Sequence, residues 1–411
     1  MDDIIVGLDI GTTKVCAVIG ELKEDRTINV LGAGSCSYTD GVKKGAIVDI
    51  KKTTEAIVYA IEEAEKSVDV SIDSVYVGIA GAHINSMNSK GAIAIKGANN
   101  EITSEDVDRA VDNAKTAVQI SATHEIIHIL PREFVVDEQN EISNPKGMVG
   151  SRLEAHVHII TGAVTAIKNL MKSCEMAKLN VEEVVLQQYA SSLSALTEDE
   201  RRLGVVLLDI GGGTTDIIVY KNGHVEYSSS IDIAGSSITN DIAFVLKTST
   251  DKAEELKINE GVAQIDLADE QVSIDVPVAG GEKIKPIKQT YLAEIIESRM
   301  DEIFSLAKTK IEEAVPLNSL PAGIVLTGGA SLLKGCTELA EGIFGVPVRT
   351  GNPIQISGLK EQVCKPQYST ALGLIRYGAQ NYREPTNKSG LFSGITDKFK
   401  NFFTKLFVDS D

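Results

Sequence analysis

The sequence predicts an α/β fold built from two duplicated domains that face each other across a cleft, with an inserted subdomain and a C-terminal amphipathic helix. Three observations predict it. One glycine-loop motif occurs twice, as GLDIGTTK over 7–14 and LLDIGGGTTD over 207–216. A third glycine cluster of different form, IVLTGGASLLKG, occupies 324–335. The chain is 411 residues long and 43% hydrophobic, which exceeds a single core and supports two well-packed ones.

Each copy of the repeated motif starts from an apolar run that ends in an acid, Asp9 or Asp209. A second apolar run follows each, so both loops read as tight connections between two strands. Gly11, Gly211, Gly212 and Gly213 lack a Cβ and let backbone N–H groups approach phosphate oxygens, while Thr12, Thr13, Thr214 and Thr215 add hydroxyl donors. A strand-terminal carboxylate beside such a loop suits hydrated Mg2+, so Asp9 and Asp209 are the candidate metal residues. Two facing loops would clamp a triphosphate together with Mg2+. One such loop alone reads equally well as an ordinary hairpin; the repeated order of acid, glycine and threonine argues for phosphate. Lys14 either meets the β-phosphate or stays in solvent beside the loop. The sequence has no GxxxxGK[ST], and neither loop opens a helix after a strand, which excludes Walker A and dinucleotide-binding loops.

Along the chain, 51–68 carries apolar residues at helical spacing, and SIDSVYVGIAG after it reads as a strand. The texture changes from about 83 to 162. MNSKGAIAIKG and EAHVHIITG read as strands, and SEDVDRAVDNAKTAV as a helix capped at Ser104, so this block is an inserted subdomain. Beyond the second loop, DKAEELK places Glu254 and Lys257 at i and i+3 on one helix face, where they reach ribose hydroxyls or form a solvated ion pair. In the third cluster a strand runs into Gly328, Gly329 and Ala330, with a helix expected to start at Ser331; such a turn lets a flat ring lie on backbone.

The net charge of −18 excludes nucleic acid as a partner, because a phosphate backbone needs a basic surface. Five scattered cysteines without a CxxC pair or secretory signal indicate free thiols in a reducing cytoplasm. His124 and His128, and His156 and His158, are spaced like metal ligands, but no third ligand stands nearby and both pairs read as structural.

The C-terminus departs from the rest. NYREPTNKSG over 381–390 reads as a flexible linker. After it, Leu391, Ile395, Phe399, Phe402 and Leu406 form one helical stripe, widened by Phe392, Phe403 and Phe407. Lys398, Lys400 and Lys405 face only Asp397, so the polar side is locally basic in an acidic chain. This pattern predicts a helix lying in the headgroup plane of an anionic membrane and too short and polar to span it.

The order of phosphate loop, second phosphate loop and adenosine loop resembles that of actin, sugar kinases and heat-shock chaperones, the actin-like (ribonuclease H-like) ATPases. VVLQQYASSLSAL over 184–196 and YSTALGLIRYG over 368–378 look like the two connecting helices of that fold. Within it the chain most resembles the FtsA family of actin-like bacterial division proteins, through LDIGTTKV, YASSLSALTEDERRLGVVLLDIGGGTTDI, AEELK, GIVLTGGASLLKG and YSTALGL. The resemblance implies a first nucleotide domain from 1–82, 163–196 and 360–380, and an interaction subdomain over 83–162. A second nucleotide domain would take 197–230 and 301–359, with a smaller subdomain over 231–300.

It also implies head-to-tail polymers, docking of the C-terminal peptide of the tubulin-like protein FtsZ near Arg299, with Lys285 and Lys288 as further basic candidates, and contacts of 83–162 with later division proteins. The location implied is the cytoplasmic membrane face at the division site, anchored by the terminal helix. Catalysis in such relatives needs a residue that positions water; Gln187 or Gln188 stands near that place with Asp209 assisting, and ATP binding with slow hydrolysis at most is expected. The competing readings are a sugar or metabolite kinase of the same superfamily and another membrane-linked actin homologue.

Overall fold

The computed structural model describes residues 4–381 except 39, 69, 97–98 and 280–283. The expected terminal helix, Leu391 to Phe407, and nearly all of the linker before it lie outside the described residues.

The chain opens with a meander of β1 (Ile4–Ile10), β2 (Lys14–Leu22) and β3 (Ile28–Ser37). The short strands β4 (Val42–Lys43) and β5 (Ala46–Ile47), helix α1 (Ile50–Glu65) and β6 (Ser74–Ile79) follow. The insert contains β7 (Ile84–Ala94), α2 (Ser104–Thr116), β8 (His124–Val136), β9 (Gln139–Ile142) and β10 (Arg152–Ala163). Then come α3 (Val164–Met176), β11 (Asn180–Leu186), α4 (Gln187–Ala195) and α5 (Glu198–Leu203). The second half repeats the meander as β12 (Val205–Ile210), β13 (Thr215–Lys221) and β14 (His224–Ile231), then α6 (Gly235–Leu246), α7 (Thr250–Glu260), β15 (Ser273–Pro277), β16 (Ile284–Lys288) and α8 (Gln289–Ala314). Last are β17 (Ile324–Thr327), α9 (Cys336–Phe344), β18 (Val348–Thr350), β19 (Ile356–Gly358), α10 (Lys360–Val363) and α11 (Ser369–Asn381).

The duplication is structural as well as sequential. The first sheet has the order β11-β6-β1-β2-β3-β19 and the second β14-β13-β12-β17-β18. In each, the motif strand pairs antiparallel with its hairpin partner and parallel with a strand on its other side, β6 for β1 and β17 for β12. These central strands are apolar on both faces, as a covered sheet requires. Leu8, Val15, Val18 and Ile19 are fully buried in one, and Val206, Leu207, Leu208 and Ile217 in the other.

The insert is a four-stranded antiparallel sheet, β7-β10-β8-β9, with its own core. Val107, Ala110, Val111 and Ala114 of α2 pack there against Phe134, Leu153 and Val157. Helix α2 is capped by Thr103, one residue before the expected Ser104, because Thr103 and Asp106 form the reciprocal capping box. Thr103 Oγ1 accepts from the Asp106 N–H at 3.2 Å, and Asp106 Oδ2 accepts from the Thr103 N–H at 2.9 Å. Thr103→Ala is expected to cost the insert about 1 kcal/mol; an unchanged urea midpoint would contradict it.

Other boundaries differ from the sequence reading for identifiable reasons. Helix α1 starts from an Asp49 cap and ends at Glu65, short of the expected 68. Residues 184–186 finish the parallel strand β11 before α4 begins at Gln187. Residues 329–332 form a single 3-10 turn, and α9 begins only at Cys336, after the left-handed Gly335. The boundary expected between 300 and 301 falls inside α8, whose buried stripe Leu292, Ile296, Met300, Ile303, Phe304, Ala307 and Ile311 is unbroken. The chain re-enters the first sheet at β19, slightly before residue 360.

Candidate functional site

The two motif turns meet. Each is closed by one backbone bond, Gly11 N–H to Lys14 O and Gly211 N–H to Thr214 O, both 3.0 Å. A Cβ added at Gly213 would stand 2.3 Å from Thr12 Oγ1, and one at Gly212 2.9 Å from Thr13 Oγ1. Only glycine backbone allows that approach. Lys44 and Asp232 span the two domains at 3.7 Å.

Three carboxylates converge behind the loops. Asp9 accepts from Gln187 Nε2 at 3.0 Å, which places Gln187 on the cleft. Gln188 instead points its amide to Ser229 O at 3.3 Å. Asp209 Oδ2 accepts from Ser191 Oγ at 2.6 Å and Thr370 Oγ1 at 3.4 Å, so the helices α4 and α11 hold it from behind. Asp216 accepts from Ser230 Oγ at 2.6 Å and Thr214 Oγ1 at 2.8 Å. Burial pushes Asp9 up to about 7, opposed by Lys14 and reinforced by Asp209. Burial likewise pushes Asp216 up to about 7, with the Asp209 and Asp9 charges adding to it, and it raises Asp209.

Carboxylates crowded together and partly removed from water favour a cation among them, because a positive charge relieves both desolvation and mutual repulsion. The donor set fits a hydrated Mg2+. Among the described residues no three His, Cys, Asp or Glu could ligate one ion directly, so Asp9, Asp209 and Asp216 would act through its water shell.

The expected ribose pair and adenosine loop lie beside the second loop. Lys257, only 8% exposed, donates from Nζ to Gly235 O at 3.1 Å, Thr239 Oγ1 at 2.9 Å and Glu254 Oε2 at 2.7 Å. Thr239 also donates to Glu254. Gly235 N–H in turn donates to Gly211 O at 3.0 Å, and a Cβ on Gly235 would lie 3.4 Å from the Ala330 Cβ. Glu254 and Lys257 thus form a multiply bonded pair joined to the second loop, with Lys257 buried and the Glu254 side chain half-exposed. Gly328 has φ +84° and lies so near Asp209 that a Cβ would be 2.4 Å from Oδ1. A Cβ at Gly329 meets nothing within 4 Å, which leaves its backbone open to a flat ligand.

Other candidates are placed differently. Lys14 Nζ donates to Gln367 O at 3.1 Å and stands 4.2 Å over the Tyr368 ring. Arg299 makes a two-pronged pair with Asp241, at 2.6 and 2.9 Å, and also bonds Glu302. Lys285 and Lys288 line a surface pocket of about 410 Å³ with Ile265, Ile287 and Tyr291. The four paired histidines are engaged separately: His124 meets Asn85, His128 accepts from the Leu186 N–H, His156 lies between Glu133 and Glu154, and His158 between Asn88 and Ser228. Asp216, Ser191, Thr370 and Ser230 were not singled out from sequence. One signal was available for Asp216: it stands as far after Asp209 as Cys16 stands after Asp9, and both are direct cross-strand partners of the motif acid.

The profile described as Cell division protein FtsA matches residues 206–373, and that of the SHS2 domain inserted in FTSA matches 81–161. Among curated relatives, the Cell division protein FtsA of Pseudomonas aeruginosa is 44% identical over 94% of this chain and 91% of its own length. That of Escherichia coli K12 is 38% identical over 92% and 91%. Among solved structures, the PilM-PilN type IV pilus biogenesis complex superposes with a TM-score of 0.68 at 16% identity, covering 93% of this chain and 99% of that one. MreB 5 of Spiroplasma citri bound to AMPPNP gives 0.53 at 14%, covering 92% and 95%. At such identities these two show the fold alone, which is the actin-like ATPase fold.

Proposed function

The chain belongs to the FtsA family of cell division proteins, and on that premise we propose that it is an ATP-binding, membrane-attached filament subunit that links FtsZ to the cytoplasmic membrane face. The observation that carries the nucleotide part is the contact of the two glycine turns in front of Asp9, Asp209 and Asp216. Gly11, Thr12, Thr13, Gly211, Gly212, Gly213 and Thr214 would cradle the phosphates, Glu254 and Lys257 the ribose, and Gly328, Gly329 and Ala330 the base. Bound Mg2+ supplies charge neutralisation at the phosphates. Gln187, already bonded to Asp9, is the residue able to orient a water there, and with no stronger base at that place hydrolysis would be slow at most.

Among the described residues no helix is long and apolar enough to cross a membrane, and attachment would rest on the terminal stripe of Leu391, Phe392, Ile395, Phe399, Phe402, Phe403, Leu406 and Phe407 with Lys398 and Lys405. One such helix binds modestly, and a head-to-tail filament multiplies it by avidity. The acidic, apolar FtsZ peptide would dock at the pocket lined by Lys285, Lys288, Tyr291 and Glu294, with Arg299 already paired to Asp241 and Glu302. Later division proteins would meet the insert.

Sedimentation with anionic liposomes tests this reading. Pelleting is expected to require residues 391–411 and to respond to ATP, and equal pelleting of the truncated chain would refute the anchor.

A further inference from the structure

Strand β14 is the edge of the second domain's sheet, and the insert covers that edge. An uncovered edge strand leaves a row of unpaired backbone groups. Here two alternate carbonyls of β14 are satisfied by side chains two residues apart on β7: Ser86 Oγ donates to Ser228 O at 2.6 Å, and Asn88 Nδ2 to Glu226 O at 3.2 Å. Glu226 also pairs with Arg132 of β8.

At the centre is His158 of β10, 1% exposed. Its Nδ1 lies 2.6 Å from Asn88 Oδ1 and its Nε2 2.9 Å from Ser228 Oγ. Because Asn88 spends its amide N–H on Glu226 O, its oxygen accepts, so Nδ1 carries the proton and Nε2 accepts from the Ser228 hydroxyl. Burial, aided by the Arg132 charge, holds this imidazole down at about 3 and therefore neutral. Ser228, His158, Asn88 and Glu226 are linked in one chain of hydrogen bonds across the seam, an arrangement that rigidifies what it joins.

The same face of β14 reaches the nucleotide cleft. Ser228 and Ser230 pair across to Ile218 and Asp216, and Ser230 holds Asp216 at 2.6 Å. One strand thus carries, two residues apart, the hydroxyl that holds a cleft carboxylate and the hydroxyl that holds the insert. Helix α4 adds a third tie, Gln188 to Ser229 O.

We propose that β14 is a coupling strand: through Ser230 and Ser228 it passes the occupancy of the cleft to the inserted subdomain, whose partner-facing surface thereby responds to bound nucleotide. This rests on the nucleotide reading of the cleft. The required elements of a coupled pair are two sites, one shared rigid element and a ligand that acts on one end of it. A hydrated cation beside Asp216 would change what Ser230 bonds, and because Ser228, Ser229 and Ser230 are consecutive and each is tied, a shift at Ser230 would be carried to Ser228.

The experiment uses the full chain. Binding of a fluorescent ATP analogue with Mg2+ is titrated, and amide hydrogen exchange over 84–94 and 152–163 is followed with and without MgATP. In the parent, MgATP is expected to change exchange rates in these strands by about fivefold or more. Ser228→Ala, and Asn88→Ala as a second variant if the first folds poorly by circular dichroism, are expected to abolish that change while retaining nucleotide affinity. Absence of nucleotide binding by the parent overturns the cleft reading and this inference with it. Binding with unaltered exchange in the insert overturns the inference alone, as does the parental response persisting in the folded variants.

Discussion

Gly373→Ala is expected to destabilise the chain by about 3 kcal/mol or more, at the upper end for overpacking. Helices α4 and α11 cross so closely that a Cβ on Gly373 would lie 1.8 Å from Ala190 O and 2.3 Å from its carbonyl carbon. Both atoms are backbone, so relief requires one helix to move. Helix α11 is fixed on its other side as well, since a Cβ on Gly7 of β1 would stand 2.1 Å from Ala371 O. On helix propensity alone alanine would stabilise by about 1 kcal/mol, so the two explanations differ in sign. Because α4 and α11 carry the Ser191 and Thr370 that hold Asp209, nucleotide affinity should fall too. Urea unfolding decides the matter: a midpoint equal to or above the parent's refutes it.

Asp216→Asn is expected to move stability and binding in opposite directions. In the folded, nucleotide-free protein burial and the neighbouring acids push Asp216 up to about 7, whereas in the unfolded chain it titrates near 4. Between those values the folded state keeps a proton that the unfolded state has released. Stability from this group therefore falls as pH rises from about 4 to 7 and stays lost above. The asparagine variant escapes that loss. Its melting temperature at pH 8 should exceed the parent's by about 2 °C or more, and the gap should narrow as pH approaches 4. Affinity for MgATP should fall about tenfold or more, the loss of one charge-assisted contact. A gap independent of pH, or unchanged MgATP affinity, would contradict this account, which makes Asp216 a group that costs the empty protein stability for the sake of its ligand.

Much of the site was legible because its chemistry is local. Two turns that approach each other as closely as these need glycine at fixed places, and the acid that ends the preceding strand is adjacent in sequence, so the duplicated motif announced itself twice. The Glu254–Lys257 spacing on one helix face was legible for the same reason. Lys14 and Arg299 were not, since an exposed-looking cation finds its partner through tertiary contact: Gln367 and Tyr368 for one, Asp241 for the other. Between Gln187 and Gln188 the helix register decided, because α4 starts directly at Gln187.

The sequence by itself determined the two glycine turns, the motif acids, the apolar central strands and the insert, since each follows from residue type and short-range spacing. Only the tertiary structure decided which distant groups meet: Asp216 with Ser230, Asp209 with Ser191 and Thr370, Gly373 with Ala190, and the insert with the edge of β14. Those contacts depend on how two sheets and two crossing helices close on one another, and no local pattern in the chain encodes the distance between residues so far apart.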